Sequence, residues 1–177
     1  VFRMNYTKLT NNLIDLVKEE QAKLGYRKEA IRLYYPLSSL QHILGTTDSA
    51  EQLTEKLQKE ADFAKDSLGT LDISCQNDRF CIGIPAVGSE WVHDHMQPAE
   101  FIVSLVDLVG RHGCTMEDIF ALFHAQDQPV EIQEIKNGEF DYRIRFLEGD
   151  DPYCFKDEEI HIIYHRFLPE DYEDFNF

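Results

Sequence analysis

Leu9, Leu13, Leu16, Val17 and Leu24 fall at helical spacing, and Gly25 follows where a C-terminal cap would stand. The pattern predicts a first helix over residues 7–24. Ile31 to Tyr35 is then β-branched and aromatic up to Pro36, which suits a short strand. Ser38 or Ser39 is placed to cap a short helix ending before Gly45. Asp48 with Glu51 resembles a capping box, and Leu53, Leu57, Ala61, Ala64 and Leu68 form the stripe of a third helix that ends near Leu68.

From Leu71 the period switches to two. Leu71, Ile73 and Cys75 lead into Gln76-Asn77-Asp78, and Phe80, Ile82 and Ile84 alternate up to Pro85, which reads as a hairpin. Pro98 opens a helix on which Glu100, Ser104, Asp107 and Arg111 make one narrow polar stripe, so its remaining faces are expected to be buried. After Gly113, Thr115 and Asp118 cap a short partner helix carrying Ile119, Phe120, Leu122 and Phe123. Val130 to Ile135, Asn137-Gly138 and Phe140 to Phe146 predict a second hairpin with a type I′ turn. Glu159 to Phe167 reads as a last strand, and the aromatics of the acidic tail (Tyr172, Phe175, Phe177) are expected to dock on the fold.

Helices first, then hairpins separated by a helix pair, indicate the α+β class. The expected architecture is a mostly antiparallel sheet built from hairpins, with about five helices packed on it. A single domain over residues 4–177 is expected; Val1 to Arg3 precede Met4 and are set aside as a remnant of expression. With 43% apolar residues the chain has material for a core that needs neither metal nor disulfide to hold it. The most apolar stretch, Phe101 to Val109, is too short to span a membrane and carries Ser104 and Asp107. The first residues lack the charged-then-apolar pattern of a signal peptide. Cys75, Cys81, Cys114 and Cys154 form no Cys-x-x-Cys, and they are read as reduced thiols packed as small apolar groups in a cytoplasmic protein.

Charge changes the picture of function. Residues 1–70 hold 10 basic and 10 acidic side chains, whereas residues 71–177 hold 7 basic and 23 acidic, the whole of the net −16. Such a field repels phosphate backbones and anionic lipid, so neither nucleic acid nor membrane is an expected partner. The order of the helix pair 98–111 and 116–125 and the hairpin after it matches helix-turn-helix plus wing. A DNA reader needs basic side chains on the second helix, which here is apolar and acidic, so that shape is better suited to protein binding.

Two other constellations carry chemistry. His93-Asp94-His95, if extended, puts both rings on one face, and His161 and His165 share a face as strand or helix. Together the pairs suit zinc or iron, with Glu90, Asp94 or Asp157 as carboxylate ligand or base; the plain alternative is ordinary surface histidines. His112 with Cys114 is a weaker pair of the same kind. Glu148 to Asp151 and Lys156 to Glu159 cluster carboxylates, but without calcium-loop spacing, and read as solvated loops. Trp91, Tyr34 and Tyr35 are candidates to line a ligand pocket, against the commoner role of strand aromatics in a core. Phosphate-loop, dinucleotide-fold and nucleophile-elbow spacings do not occur.

The segments Ile-Arg-Leu-Tyr-Tyr-Pro-Leu-Ser-Ser-Leu (31–40), Gly-Glu-Phe-Asp-Tyr (138–142) and His-Ile-Ile-Tyr-His-Arg-Phe (161–167) resemble an uncharacterised bacterial family known only as a domain of unknown function. The resemblance covers nearly the whole chain from Met4. It implies a bacterial cytoplasmic protein of one domain, and it brings no activity, cofactor or site residues. The expected function is therefore a non-enzymatic intracellular binding or accessory module without a cofactor. It would engage a basic protein or small ligand through its acidic C-terminal half or an aromatic pocket. The alternative is a metal-dependent, hydrolytic enzyme holding a divalent metal such as zinc on His93, His95, His161 and His165.

Overall fold

The computed structural model describes residues 4–97, 100–148, 152–158 and 160–166. Contacts divide the chain into two compact units, residues 1–98 and 99–177.

The first unit opens with α1 (Tyr6–Leu24), capped by the Asn5 side chain, which accepts from the Lys8 amide. Leu9, Leu13 and Val17 on its predicted stripe are buried, and Gly25 caps the end with a positive φ. β1 (Ile31–Pro36) stops at proline, and Pro36 itself is the N-cap of α2 (Leu37–Leu44). Neither Ser38 nor Ser39 caps that helix; Ser39 is buried within it. A capping box does open α3 (Ala50–Lys59), but it joins Ser49 with Gln52. The helix ends at Lys59 rather than near Leu68. A series of i→i−3 bonds carries the chain on, such as Phe63 to Glu60 and Lys65 to Asp62, and keeps Ala64 and Leu68 buried.

β2 (Asp72–Gln76) and β3 (Arg79–Ile84) form the predicted hairpin. Its two turn residues, Asn77 and Asp78, have φ of 53° and 61°, as a type I′ turn requires. β3 lies centrally, with β1 antiparallel on its other side, so the order is β1-β3-β2. Ala86–His95, predicted as no element, is α4, with Pro85 as its N-cap. The core of this unit includes Leu9, Leu13, Tyr35, Leu40, Leu53, Leu57, Leu68, Phe80, Ile82, Ile84 and Val92.

In the second unit α5 (Phe101–Val109) and α6 (Met116–His124) precede a meander of β4 (Val130–Glu134), β5 (Tyr142–Phe146), β6 (Tyr153–Asp157) and β7 (Ile162–Arg166), all antiparallel in chain order. The Thr115–Asp118 capping box forms as predicted. Ile102, Leu105, Met116, Ile119 and Phe123 pack with Ile144, Tyr153, Phe155 and Ile162 in one core. Phe123 is at its centre, edge-on to Phe101 at 4.8 Å, Tyr153 at 5.6 Å and Phe155 at 5.9 Å. β6 was not predicted, and the last strand leaves out Ile160 and His161, beginning at Ile162.

The second hairpin turns differently from the expectation. Gly138 has φ 89°, but Asn137 is not in the left-handed region. The Asn137 amide donates to the Phe140 carbonyl across 3.1 Å, which centres the reversal on Gly138-Glu139. Asn137 Oδ1 accepts from the amides of Glu139 and Phe140, so its side chain builds the turn. The chain is α+β with antiparallel pairing throughout, as expected, in two sheets and six described helices. Tyr172, Phe175 and Phe177 lie outside the described residues.

Candidate functional site

α4 decides the first histidine pair. In a helix, residues two apart diverge by roughly 200°, so His93 and His95 do not share a face as they would in an extended segment. His93 stacks on Tyr26, centroids 3.9 Å apart and rings 8° from parallel. His95 stacks on Trp91 at 4.0 Å, with its Nδ1 2.7 Å from the Trp91 carbonyl oxygen. Glu90 is engaged by Lys28, Oε2 to Nζ 3.1 Å, and this partner raises the Lys28 ammonium above its usual range.

His161 stands just before β7 and His165 within it, and both are exposed. The two pairs belong to different units. Among the described residues, no three His, Cys, Asp or Glu side chains gather as a metal would require. The geometry therefore gives the metal-dependent alternative no support.

The aromatic candidates separate as well. Tyr35 is fully buried and its hydroxyl donates to Asn12, while Tyr34 faces the other side of β1, 53% exposed, under the Arg79 guanidinium at 5.0 Å. Trp91 is half-buried and covered on one face by His95. All four cysteines are free. Cys114 is half-buried, and burial, then the nearby Asp118, raises its thiol; neither effect favours a nucleophile. His112 beside it is exposed.

The acidic second unit has clearer organisation. Its sequence holds 19 acidic against 6 basic side chains, so −13 of the net −16 resides there. Every one of those basic side chains is engaged within the chain. Arg111 pairs with Asp107, Lys136 with Glu134, and Lys156 with Asp141. Arg145 and Arg143 both reach Glu131, at 3.1 and 3.7 Å, and the hydrogen bond from Arg145 holds the Glu131 carboxyl below its usual range. The Arg166 guanidinium lies 5.6 Å from the Tyr153 ring centroid. Glu117, Asp127, Glu139, Glu148 and Glu158 stay exposed outside those pairs. On α6, the helix that would read DNA, Glu117 and Asp118 are exposed. Of the two acidic clusters, residues 149–151 and Glu159 lie outside the described residues.

One polar group escaped the sequence reading. Gln21 lies one helical turn beyond Val17, on the apolar stripe of α1, and only 6% of it is exposed. A glutamine in place of an apolar residue was the available signal.

No curated protein and no solved structure matches the chain. A family model described as "Domain of unknown function, E. rectale Gene description (DUF3877)" matches residues 6–176, across both units. That match takes in nearly the full length, including the segments 31–40, 138–142 and 161–167, and the chain belongs to this family of bacterial domains of unknown function.

Proposed function

We propose that the protein is a non-catalytic binding module whose second unit engages a basic protein partner. One observation carries this reading: the basic side chains of that unit are all taken up internally, and exposed carboxylates remain in excess. Unpaired like charges on one surface repel one another and raise the local potential. A cationic partner relieves that repulsion, and long-range attraction speeds its encounter more than it deepens the final affinity.

The test is affinity capture from a bacterial lysate by the full chain at low and raised salt, beside the variant Glu117→Gln/Asp127→Asn/Glu139→Gln/Glu148→Gln. A basic protein retained at low salt, released by salt and not held by the variant is the expected result. Recovery of nothing at low salt, or equal capture by the variant, sinks the proposal.

A further inference from the structure

We propose that the first unit takes up a basic, extended segment of another protein as an added strand on β2, in the groove between that strand and α3. β2 is the last strand in the order β1-β3-β2, so one of its edges is free of the sheet. The two-residue turn Asn77-Asp78 closes on Gln76 and Arg79, which exchange both backbone bonds. The alternation of an antiparallel ladder then turns the backbone groups of Asp72, Ser74 and Gln76 towards β3, and those of Leu71, Ile73 and Cys75 towards the free edge. Leu71 and Ile73 are covered there. The Leu71 amide donates to the Ala61 carbonyl across 3.1 Å, and Gln58 Nε2 donates to the Ile73 carbonyl across 2.9 Å. Among the described residues, no such bond covers the amide or the carbonyl of Cys75.

The uncovered residue is also the one that borders open space. Cys75 is half-buried and lines a groove of about 600 Å³. The other wall of the groove is one face of α3, formed by Ala50, Thr54 and Gln58, each a turn from the next. A free donor and acceptor on a strand edge are what an added strand uses. An antiparallel segment with one residue opposite Cys75 exchanges two backbone bonds with it. Side chains decide which segment fits. Glu51, Glu55 and Asp78 stand exposed in the lining, which contains no lysine or arginine. Glu55 also meets Lys59, but Glu51 and Asp78 enter no ion pair among the described residues. An acidic segment is repelled there, and a basic one is attracted.

The test is fluorescence anisotropy of a labelled, end-blocked peptide, Lys-Val-Lys-Val-Lys-Val, with the full chain at about 0.15 M salt. Two further peptides are N-methylated, one at its lysine amides and the other at its valine amides. Both keep the charge of the first peptide, so they separate strand addition from general attraction to an acidic protein. Alternate amides of a strand face opposite edges, so only one methylated set meets β2. Saturable binding of the unmethylated peptide is expected, with one methylated form weaker by about tenfold or more and the other within about threefold. Cys75→Pro removes the edge amide at a kind of position where proline is tolerated, and it should weaken the unmethylated peptide by about tenfold or more. Thr54→Arg, on the α3 wall, fills the groove and repels the lysines, and it should do the same. That variant decides the matter if circular dichroism shows the proline variant unfolded. The proposal is overturned if the unmethylated peptide shows no saturable binding up to about 1 mM, or if the two methylated peptides bind equally. It is overturned equally if a folded variant binds as tightly as the unaltered chain, or if Glu-Val-Glu-Val-Glu-Val binds as tightly as the lysine peptide.

Discussion

Tyr35 on β1 donates its hydroxyl to Asn12 Oδ1 on α1 across 2.6 Å, from a ring that is wholly buried. The bond ties the first helix to the edge of the three-stranded sheet, and it satisfies a phenol that would otherwise be desolvated for nothing. Tyr35→Phe keeps the ring and removes the donor, so it should cost about 0.5–1.5 kcal/mol. Tyr34→Phe, on the exposed side of the same strand, should stay within about 0.5 kcal/mol of the parent. Urea midpoints of the two variants check this; a Tyr35 variant as stable as the Tyr34 variant would make the bond energetically idle.

The turn Asn77-Asp78 holds two non-glycine residues at positive φ, and the Asp78 carbonyl accepts the Leu37 amide across 2.9 Å. Asp78→Gly keeps that carbonyl and removes the steric cost of the left-handed backbone, offset in part by the flexibility glycine adds to the unfolded chain. A net gain of about 0.5 kcal/mol is expected, read as a higher melting temperature. Asn137→Ala should act in the opposite direction, because there the side chain itself accepts two turn amides.

Gly88 sits in α4 where a Cβ would come 2.5 Å from the Leu68 carbonyl oxygen and 2.6 Å from Ile84 Cγ2. The first neighbour is backbone and cannot swing away. Gly88→Ala should therefore lose about 1–3 kcal/mol, although alanine is the better helix former. An unchanged denaturation midpoint would show that α4 shifts freely.

The same glycine explains why α4 was illegible. Its buried residues are Gly88, Ser89 and Val92, so the face turned to the core is small and polar rather than an apolar stripe. Helices with apolar stripes, the leucines and valine of α1 and Met116, Ile119 and Phe123 of α6, were read directly, as was the alternation of Ile73, Phe80, Ile82 and Ile84. β6 was missed for the opposite reason. Tyr153, Cys154 and Phe155 are all buried, which erases the period of two, and carboxylates flank them. The pattern also ran α3 on to Leu68, since the bonds after Lys59 leave the same residues buried. A shared face for His93 and His95 depended on an extended segment, and the helix α4 does not supply it. The charge excess of the second unit is legible in the counts, but which carboxylates stay outside ion pairs depends on the β4–β5 register that brings Arg143 and Arg145 to Glu131.

Cys154 is fully buried, and that burial pushes its thiol up to about 12 from the usual 9.0. The folded chain keeps this proton over a range in which the unfolded chain releases it. Its contribution to stability is whole below about pH 9 and is lost as the pH climbs from there towards 12. Cys154→Ala should flatten the decline of melting temperature in that window. Iodoacetamide at neutral pH should label the half-buried Cys75 and Cys81 well before Cys154. Early labelling of Cys154 would mean that β6 opens readily.

The acidic surface makes a quantitative claim of its own. If exposed carboxylates drive association, the affinity of the full chain for an oligolysine peptide must depend on ionic strength, because salt screens charges separated by more than about 8–10 Å. A loss of about tenfold or more between roughly 0.05 and 0.5 M salt is expected. Neutralising Glu117, Asp127, Glu139 and Glu148 should lower the affinity at low salt and flatten its salt dependence together. Substituting Glu131, which Arg145 and Arg143 already engage, should change both far less. The contrast separates a surface organised around its surplus carboxylates from one that responds only to total charge. If removing Glu131 weakens binding as much as removing Glu139 does, net charge alone governs the association and the internal pairing has no part in it.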